Sequence, residues 1–218
     1  MERKHALWMG LAAAAVLAAA PLVVPSWVTF LLIKALFMYI AVQGVALFLR
    51  GGMVTFGHAL FYATGAYTVG FSVKWFGFRD VLALVPLGAL MGLIMAALVG
   101  LLMARYRGVF FAMLNLAFSM ILFAALLKFY WVTGGTDGLS AGTATFLGIP
   151  MPGSSFKFYY FTLVIAAGVT YVVHRFLASP LGYFLRALAD NEIRIEYSGE
   201  SVRRVIYLTY VLTGGLGG

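Results

Sequence analysis

The sequence has 218 residues, of which 63% are apolar by type and 10% are charged, and its mean hydropathy is +0.99. A soluble domain carries about 25% charged and about 45–50% apolar residues, so this composition excludes a soluble enzyme, a disordered chain and a nucleic-acid-binding module. The net charge of +8 fits cytoplasmic loops that hold Lys and Arg, and the absence of cysteine excludes disulfides and thiolate metal sites. The composition predicts an integral membrane protein.

Apolar runs of about 20 residues predict an all-α, polytopic membrane helix bundle with six complete spans and a truncated seventh. The complete spans are Ala6–Val24, Ser26–Leu49, Met53–Val73, Val81–Met103, Val109–Val132 and Phe158–Leu177. The seventh starts near Val205 and reaches Gly218 after 14 residues, about 21 Å of helix against a hydrocarbon core about 30 Å thick. We therefore expect residues 1–218 to form a single transmembrane domain that is incomplete at its C-terminus.

Two of these segments have an alternative interpretation. The first combines a basic start with an Ala/Leu-rich run and small residues before Pro21, a pattern shared by signal peptides and retained first helices, and six further spans favour a retained helix. The segment Met53–Val73 contains several Gly, Ser and Thr residues, so it could be re-entrant instead of crossing the membrane.

The distribution of Lys and Arg predicts the orientation of the spans. If every segment crosses and the N-terminus is cytoplasmic, ten of these residues lie inside (Arg3, Lys4, Arg50, Arg105, Arg107, Arg175, Arg186, Arg194, Arg203, Arg204) and four outside (Lys74, Arg79, Lys128, Lys157). Without a crossing at Met53–Val73 the count becomes seven against seven. The charge bias therefore favours six crossings and a cytoplasmic N-terminus.

Two connections between spans are long. The outer connection, Thr133–Lys157, is rich in Gly, Thr and Pro, so it has turn chemistry throughout and is either a surface connector or a docking surface. The inner connection, Ala178–Arg204, holds four of the seven carboxylates and predicts a helix, with Asp190 or Asn191 as N-cap and Gly199 as its end. This helix is either solvated or bound to a protein partner.

Few polar residues lie inside the predicted spans, and we take four of them as a candidate translocation path. Asn115 and Ser119 lie four residues apart on one helix face, and His58 follows Thr55 by three residues. Interhelical hydrogen bonds or a buried, satisfied histidine are the simpler explanations. Lys34 lies nine residues into its span, where a charge is costly unless it faces a cavity or reaches outward.

The sequence also lacks the motifs that would let the chain power transport by itself. It contains no GxxxxGK[ST] phosphate loop and no HExxH, and none of its acids lies inside a predicted span. We therefore expect no enzymatic activity, cofactor or metal in this chain, and a transporter of this kind needs a separate energy-supplying partner.

Three stretches resemble one family. Thr55–Thr68 reads TFGHALFYATGAYT, Arg107–Leu139 contains RGVFFAMLNLAF and TGGTDGL, and Ser179–Gly218 begins SPLGYFLRALADNEIRIEYSGES. They are similar to segments of the permease subunits of bacterial branched-chain amino acid ABC importers, the LivH/LivM type, and the long outer connection favours the LivM type.

The resemblance implies a permease subunit in the bacterial inner membrane, for branched-chain or related amino acids. The implied partners are a homologous LivH-type permease, two cytoplasmic ATPase subunits and a periplasmic binding protein, besides membrane lipid. The segment that matches the family's ATPase-coupling region contains Arg186, Ala187, Asp190, Asn191, Glu192, Glu196 and Gly199. The TGGTDGL match places Gly135 and Asp137 in a periplasmic loop, near the docking surface of the binding protein.

Other functions remain compatible with the residues. Relatives of this family for urea, short amides or sugars are one alternative. A stand-alone channel or secondary carrier predicts an intramembrane ion site, and a membrane scaffold would not need the polar third span.

Overall fold

Helices make up most of the protein. The computed structural model describes residues 17–21, 24–140, 142–153 and 155–218. Within 24–218 the elements in chain order are α1 (Ser26–Arg50), α2 (His58–Phe76), α3 (Val81–Met103), α4 (Gly108–Lys128), α5 (Tyr130–Thr133), β1 (Ala144–Phe146), β2 (Ile149–Met151), α6 (Phe156–Leu177), α7 (Pro180–Asp190), α8 (Glu192–Tyr197) and α9 (Val202–Gly217). Residues 17–21 are also helical, and most of the first predicted span, Ala6–Val24, lies outside the described residues.

Four helices among the described residues, α1, α3, α4 and α6, are long and apolar enough to cross a membrane. Their 21 to 25 residues extend about 31–37 Å at about 1.5 Å per residue, which exceeds a hydrocarbon core about 30 Å thick. They correspond to four of the predicted spans, and an all-α membrane bundle is confirmed for the described part of the chain. The helix α2, with 19 residues, and α9, with 16, are not among the four, so the count of six spans and a partial seventh stays a prediction.

The third predicted span differs from the structure at its start. Residues 53–57 are not helical, and α2 runs from His58 to Phe76. The Thr55 hydroxyl accepts a hydrogen bond from the Gly57 N–H at 3.2 Å, a local side-chain bond that competes with helix formation. The fifth predicted span also ends earlier, because α4 stops at Lys128 and a short separate helix, α5, follows.

Within the described residues, α9 packs against α3 more extensively than against any other helix. Small residues line this contact, since a methyl group added at Gly214 would collide with Ala96, and one added at Gly100 would lie 3.0 Å from Tyr210 Cδ1. Close backbone approach through small residues is a general means of helix association in membranes. The helix α9 also contacts α1 and α2 and therefore lies inside the bundle.

The outer connection contains a β-hairpin, so the prediction of turn chemistry throughout was incomplete. Strands β1 and β2 pair antiparallel, and the two residues between them, Leu147 and Gly148, have φ of 50° and 84°. Two-residue turns with positive φ at both positions match the twist of paired strands. The Thr145 N–H donates to the Arg79 carbonyl at 2.8 Å, which ties the hairpin to the start of α3.

Candidate functional site

A buried hydrogen bond joins α4 to α9. The Tyr210 hydroxyl donates to Asn115 Oδ1 at 2.6 Å, and Asn115 Nδ2 donates to the Phe111 carbonyl at 2.8 Å. Asn115 is 1% exposed and Tyr210 is 0% exposed. The backbone before α2 lies against the same amide, because a Cβ added at Gly57 would be 2.6 Å from Asn115 Oδ1. Asn115 therefore connects three separate parts of the bundle.

Aromatic rings surround this hydrogen bond. The aromatic cluster consists of Phe48, His58, Phe61, Phe111 and Tyr210, whose contacting ring centroids lie between 5.2 and 6.2 Å apart. Most of these ring pairs meet edge to face, an arrangement that aromatic side chains favour. The cluster joins side chains of α1, α2, α4 and α9.

The imidazole ring of His58 lies in this cluster without a hydrogen bond to another described residue. Both ring nitrogens are buried, and neither has a hydrogen-bond partner among the described residues. Close contact with α1 requires a glycine there, because a Cβ at Gly44 would lie 2.6 Å from His58 Nε2. Buried polar atoms without a hydrogen-bond partner are rare in folded proteins.

The four residues predicted to line a translocation path do not form one hydrogen-bonded group. Asn115 and His58 share the region of the aromatic cluster, whereas the Thr55 hydroxyl bonds the nearby Gly57 backbone. Ser119 Oγ is buried and has no hydrogen-bond partner in the described part of the chain. Sequence reasoning missed Tyr210, although a tyrosine in a largely apolar helix is a signal for a buried hydrogen-bond donor.

The inner connection forms two helices, α7 and α8, that pack on the bundle. The Ser179 hydroxyl accepts a hydrogen bond from the Gly182 N–H at 3.4 Å, and Pro180 occupies the first turn of α7. The Asn191 Oδ1 atom accepts the Ile193 N–H at 2.9 Å, and Gly199 has a φ of +82°. The predicted capping by Asn191 and the left-handed Gly199 are thus confirmed, while Asp190 ends α7 instead of capping α8.

Helix α8 has one buried face and one exposed face. Ile195 is 1% exposed and packs in the main hydrophobic core, whereas Ile193 and Tyr197 are 59% and 88% exposed. Of the seven residues predicted for coupling, Ala187 is partly buried against the core and the other six are exposed: Arg186, Asp190, Asn191, Glu192, Glu196 and Gly199. The exposed Ile193 and Tyr197 were not predicted, and their spacing of four residues puts them on one helix face.

An ion pair links the start of α8 to the start of α4. Arg107 Nε lies 3.5 Å from Glu192 Oε2, and Arg107 Nη1 also donates to the Ala104 and Tyr106 carbonyls at 2.8 and 2.9 Å. The backbone hydrogen bonds fix the Arg107 side chain in place. The corner between α3 and α4 therefore presents a fixed cation to α8.

The TGGTDG segment of the outer connection is a tight, ordered turn. Gly134, Gly135 and Gly138 have φ of 76°, 56° and 69°, values that favour glycine. The Thr133 hydroxyl donates to the Leu126 carbonyl at 2.6 Å and accepts the Gly135 N–H at 3.2 Å. Asp137 is exposed on this turn.

A cavity of about 790 Å³ lies between α1, α2, α3 and α6, and residues of the outer connection and the end of α9 also line it. Its walls are mostly aliphatic and aromatic, the charged side chains in its lining are those of Lys34 and Arg79, and Gly218, the last residue of the sequence, also borders it. Its lining includes none of the four predicted path residues. Among the described residues there is no group of three His, Asp or Glu side chains that could hold a metal ion.

These features are those of a multi-pass helical membrane protein with a short, partly exposed helix between two longer ones. A family model described as "Branched-chain amino acid transport system / permease component" matches residues 27–218, and the chain belongs to this family. The "High-affinity branched-chain amino acid transport system permease protein LivM" of Escherichia coli (strain K12) is 26% identical over 190 residues, with 77% of this chain and 44% of the relative covered. The protein of the same description from Salmonella typhimurium (strain LT2) has the same identity and coverage.

The chain spans less than half the length of these curated relatives. No solved structure matches it.

Proposed function

We propose that this chain is the membrane-spanning permease subunit of a bacterial ABC importer for branched-chain or related amino acids. The family membership supports a transport subunit, and we assign ATP hydrolysis to other chains. In the assembly it has a homologous LivH-type permease, two cytoplasmic ATPase subunits and a periplasmic binding protein as partners.

The observation that carries this proposal is that α8 has one face buried in the bundle and one face exposed. Its Ile195 side chain anchors the helix to the bundle, while Ile193 and Tyr197 stand exposed beside Glu196. Aromatic and aliphatic side chains on a polar surface are typical anchors for a protein partner. Because α8 is connected to other helices at both ends, a partner that displaces it also displaces the bundle. We assign the exposed face of α8 to the ATPase.

Helix α8 is connected to two helices of the bundle, α4 and α9, and a displacement of α8 therefore moves both. Its first residue, Glu192, forms the ion pair with Arg107 before α4, and Gly199 and Ser201 lead from its other end into α9. The helices α4 and α9 are in turn joined by Asn115 and Tyr210. A movement of α8 that separates α4 from α9 would break this hydrogen bond and open the aromatic cluster.

The proposed topology has six complete spans, a seventh helix that begins at Val202 and a cytoplasmic N-terminus, in the bacterial inner membrane. The inner connection, with α7 and α8, is then cytoplasmic and the outer connection periplasmic. In this topology the aromatic cluster lies nearer the cytoplasmic side of the bundle, and Arg79 lies nearer the periplasmic side.

The test is purification of the full-length, tagged protein from its native membrane in mild detergent, with the bound proteins identified by mass spectrometry. We expect an ATPase subunit and a second permease to co-purify. Glu196→Lys, on the exposed face of α8, should weaken ATPase recovery, and Lys128→Met, at the other end of α4, should not. A stable complex that contains no ATPase would contradict the proposal.

A further inference from the structure

A shallow pocket of about 360 Å³ lies where α3 ends and α9 begins. Three arginines line this basic pocket: Arg105 follows the end of α3, and Arg203 and Arg204 belong to the first turn of α9. The side chains of Leu101 and Tyr207 add apolar surface to the same lining. Two helices therefore bring three arginines to one concave surface.

The packing of α9 on α3 creates this juxtaposition. A Cβ added at Gly100 would lie 3.3 Å from Tyr207 Cδ2, and one added at Gly214 would collide with Ala96. The order of these contacts shows that the two helices run antiparallel in close contact. The last turn of α3 and the first turn of α9 consequently lie at the same end of the bundle.

The arginines of the basic pocket are available to a ligand in the part of the chain that the structure describes. Arg204 Nη1 lies 3.9 Å from Glu200 Oε2, which is long for an ion pair, and the ion pairs found there do not involve Arg105 or Arg203. All three side chains are exposed. Guanidinium groups bind phosphate with charge-assisted, often bidentate hydrogen bonds, so the pocket suits a phosphate group.

An apolar stripe leads away from the basic pocket along α3. Its residues Ile94, Leu98 and Leu101 are exposed, and their spacings of four and three residues put them on one helix face. Helix α3 is long and apolar enough to cross a membrane, and the arginines follow at its end. A ligand that fits both features has an anionic head and long apolar chains.

We propose that the basic pocket binds the phosphate of an anionic phospholipid, whose acyl chains lie along the stripe of Ile94, Leu98 and Leu101. This inference rests on the proposed function through its topology, which puts the end of α3 and the start of α9 at the cytoplasmic face. Anionic lipids of the cytoplasmic leaflet are attracted to basic groups beside membrane spans, and basic pockets between spans bind anionic headgroups.

The test uses a photoreactive side chain on the apolar stripe, outside the pocket itself. A benzophenone side chain replaces Leu98 in the full-length protein, assembled with its partners in vesicles of equal parts phosphatidylglycerol and phosphatidylcholine with the same acyl chains. The same group at Val164, exposed on α6, reports the bulk lipid. Mass spectrometry gives the ratio of phosphatidylglycerol to phosphatidylcholine adducts, and we expect a higher ratio at position 98 than at position 164.

Substitutions then ask whether the arginines cause this preference. Arg105→Met should lower the ratio at position 98 about fivefold, as expected for loss of one basic group near an anionic headgroup. Arg105→Lys keeps the charge and should keep most of the preference. Arg175→Met is the matched control, because Arg175 is an exposed arginine in the last turn of α6 that does not line the pocket, and it should leave the ratio unchanged.

A third comparison separates a lipid from a soluble phosphate. Glycerol phosphate in excess carries the anionic group without acyl chains and should leave the adduct ratio unchanged, whereas competition by it would overturn the lipid assignment. Equal ratios at positions 98 and 164, equal effects of Arg105→Met and Arg175→Met, or adducts with a protein subunit in place of lipid would also overturn it. Recovery of the ATPase is measured in the same samples, so that a failed lipid site is distinguished from a failed transport assembly.

Discussion

The hydroxyl of Tyr210 donates a hydrogen bond of 2.6 Å to Asn115 Oδ1, across 95 positions of the sequence. This hydrogen bond joins α4 and α9. The start of α8 contacts the start of α4 through the Arg107–Glu192 ion pair, and the end of α8 continues through Ser201 into α9. The three connections form a closed loop of contacts from the exposed surface to the aromatic cluster. A displacement of α8 that reaches both helices therefore acts on the Asn115–Tyr210 bond.

Tyr210→Phe should destabilise the bundle because Asn115 Oδ1 is left without its donor in a buried site. We expect a loss of about 1–2 kcal/mol, measured as a lower midpoint of thermal unfolding in detergent. Tyr207→Phe is the matched control, since Tyr207 lies on the same helix and its hydroxyl has no hydrogen bond among the described residues. Equal effects of the two substitutions would show that the Asn115 bond contributes nothing specific.

Gly57→Ala should be harmful because its methyl group would lie 2.6 Å from Asn115 Oδ1 and 2.9 Å from Asn115 Cβ. Overpacking of this kind costs about 1–3 kcal/mol. Gly168→Ala on α6 meets nothing within 4 Å, and alanine favours the helix, so that variant should unfold no earlier than the wild type. Thermal unfolding of both variants checks the difference; a neutral Gly57→Ala would contradict the close approach of the α2 start to Asn115.

Gly199→Val should abolish uptake while the protein still inserts in the membrane. Gly199 has a φ of +82°, a conformation in which a β-branched residue is strained, and it lies in the short connection between α8 and α9. Asparagine tolerates the left-handed region, so Gly199→Asn should retain most uptake. Uptake of labelled leucine at matched expression is the measurement, and wild-type uptake by Gly199→Val would mean that the α8–α9 angle has no role in transport.

Asp137→Cys should react with an impermeant thiol reagent added to intact spheroplasts, because the proposed topology puts the outer connection in the periplasm. Asp137 is exposed, whereas a cysteine at Gly135 would contact the Tyr130 ring at about 2.5 Å and is unsuitable. Glu196→Cys, on α8, is the opposite control and should react only after lysis. The reverse pattern would invert the topology.

Much of the helical framework follows from the sequence alone, because apolar runs of about 20 residues or more predict α1, α3, α4 and α6 with boundaries close to those observed. The ends of α8 were also predictable, because capping depends only on residues close in the sequence. Asn191 accepts a hydrogen bond from the Ile193 N–H, and Gly199 adopts the left-handed conformation. The start of α2 at His58 was not predictable from composition, because residues 53–57 are as compatible with a span as those that follow.

Long-range contacts were beyond sequence reasoning. Asn115 is recognisable as a polar residue in a span, but its partner Tyr210 depends on how α9 enters the bundle. The hairpin of the outer connection has strands of only three residues, too short for an alternating pattern to predict. The cavity lining likewise combines residues from five helices and the outer connection, a set that no local pattern in the sequence predicts.

The most direct test of the central claim is site-specific photo-cross-linking from α8 in the intact transporter. A benzophenone side chain at Tyr197, which is 88% exposed, should cross-link to an ATPase subunit, and the same group at Ile195, which is 1% exposed, should not. The cross-linked band is identified by mass spectrometry. Cross-links from position 197 to an ATPase would support docking through α8, whereas products with lipid alone, at full uptake activity, would contradict it.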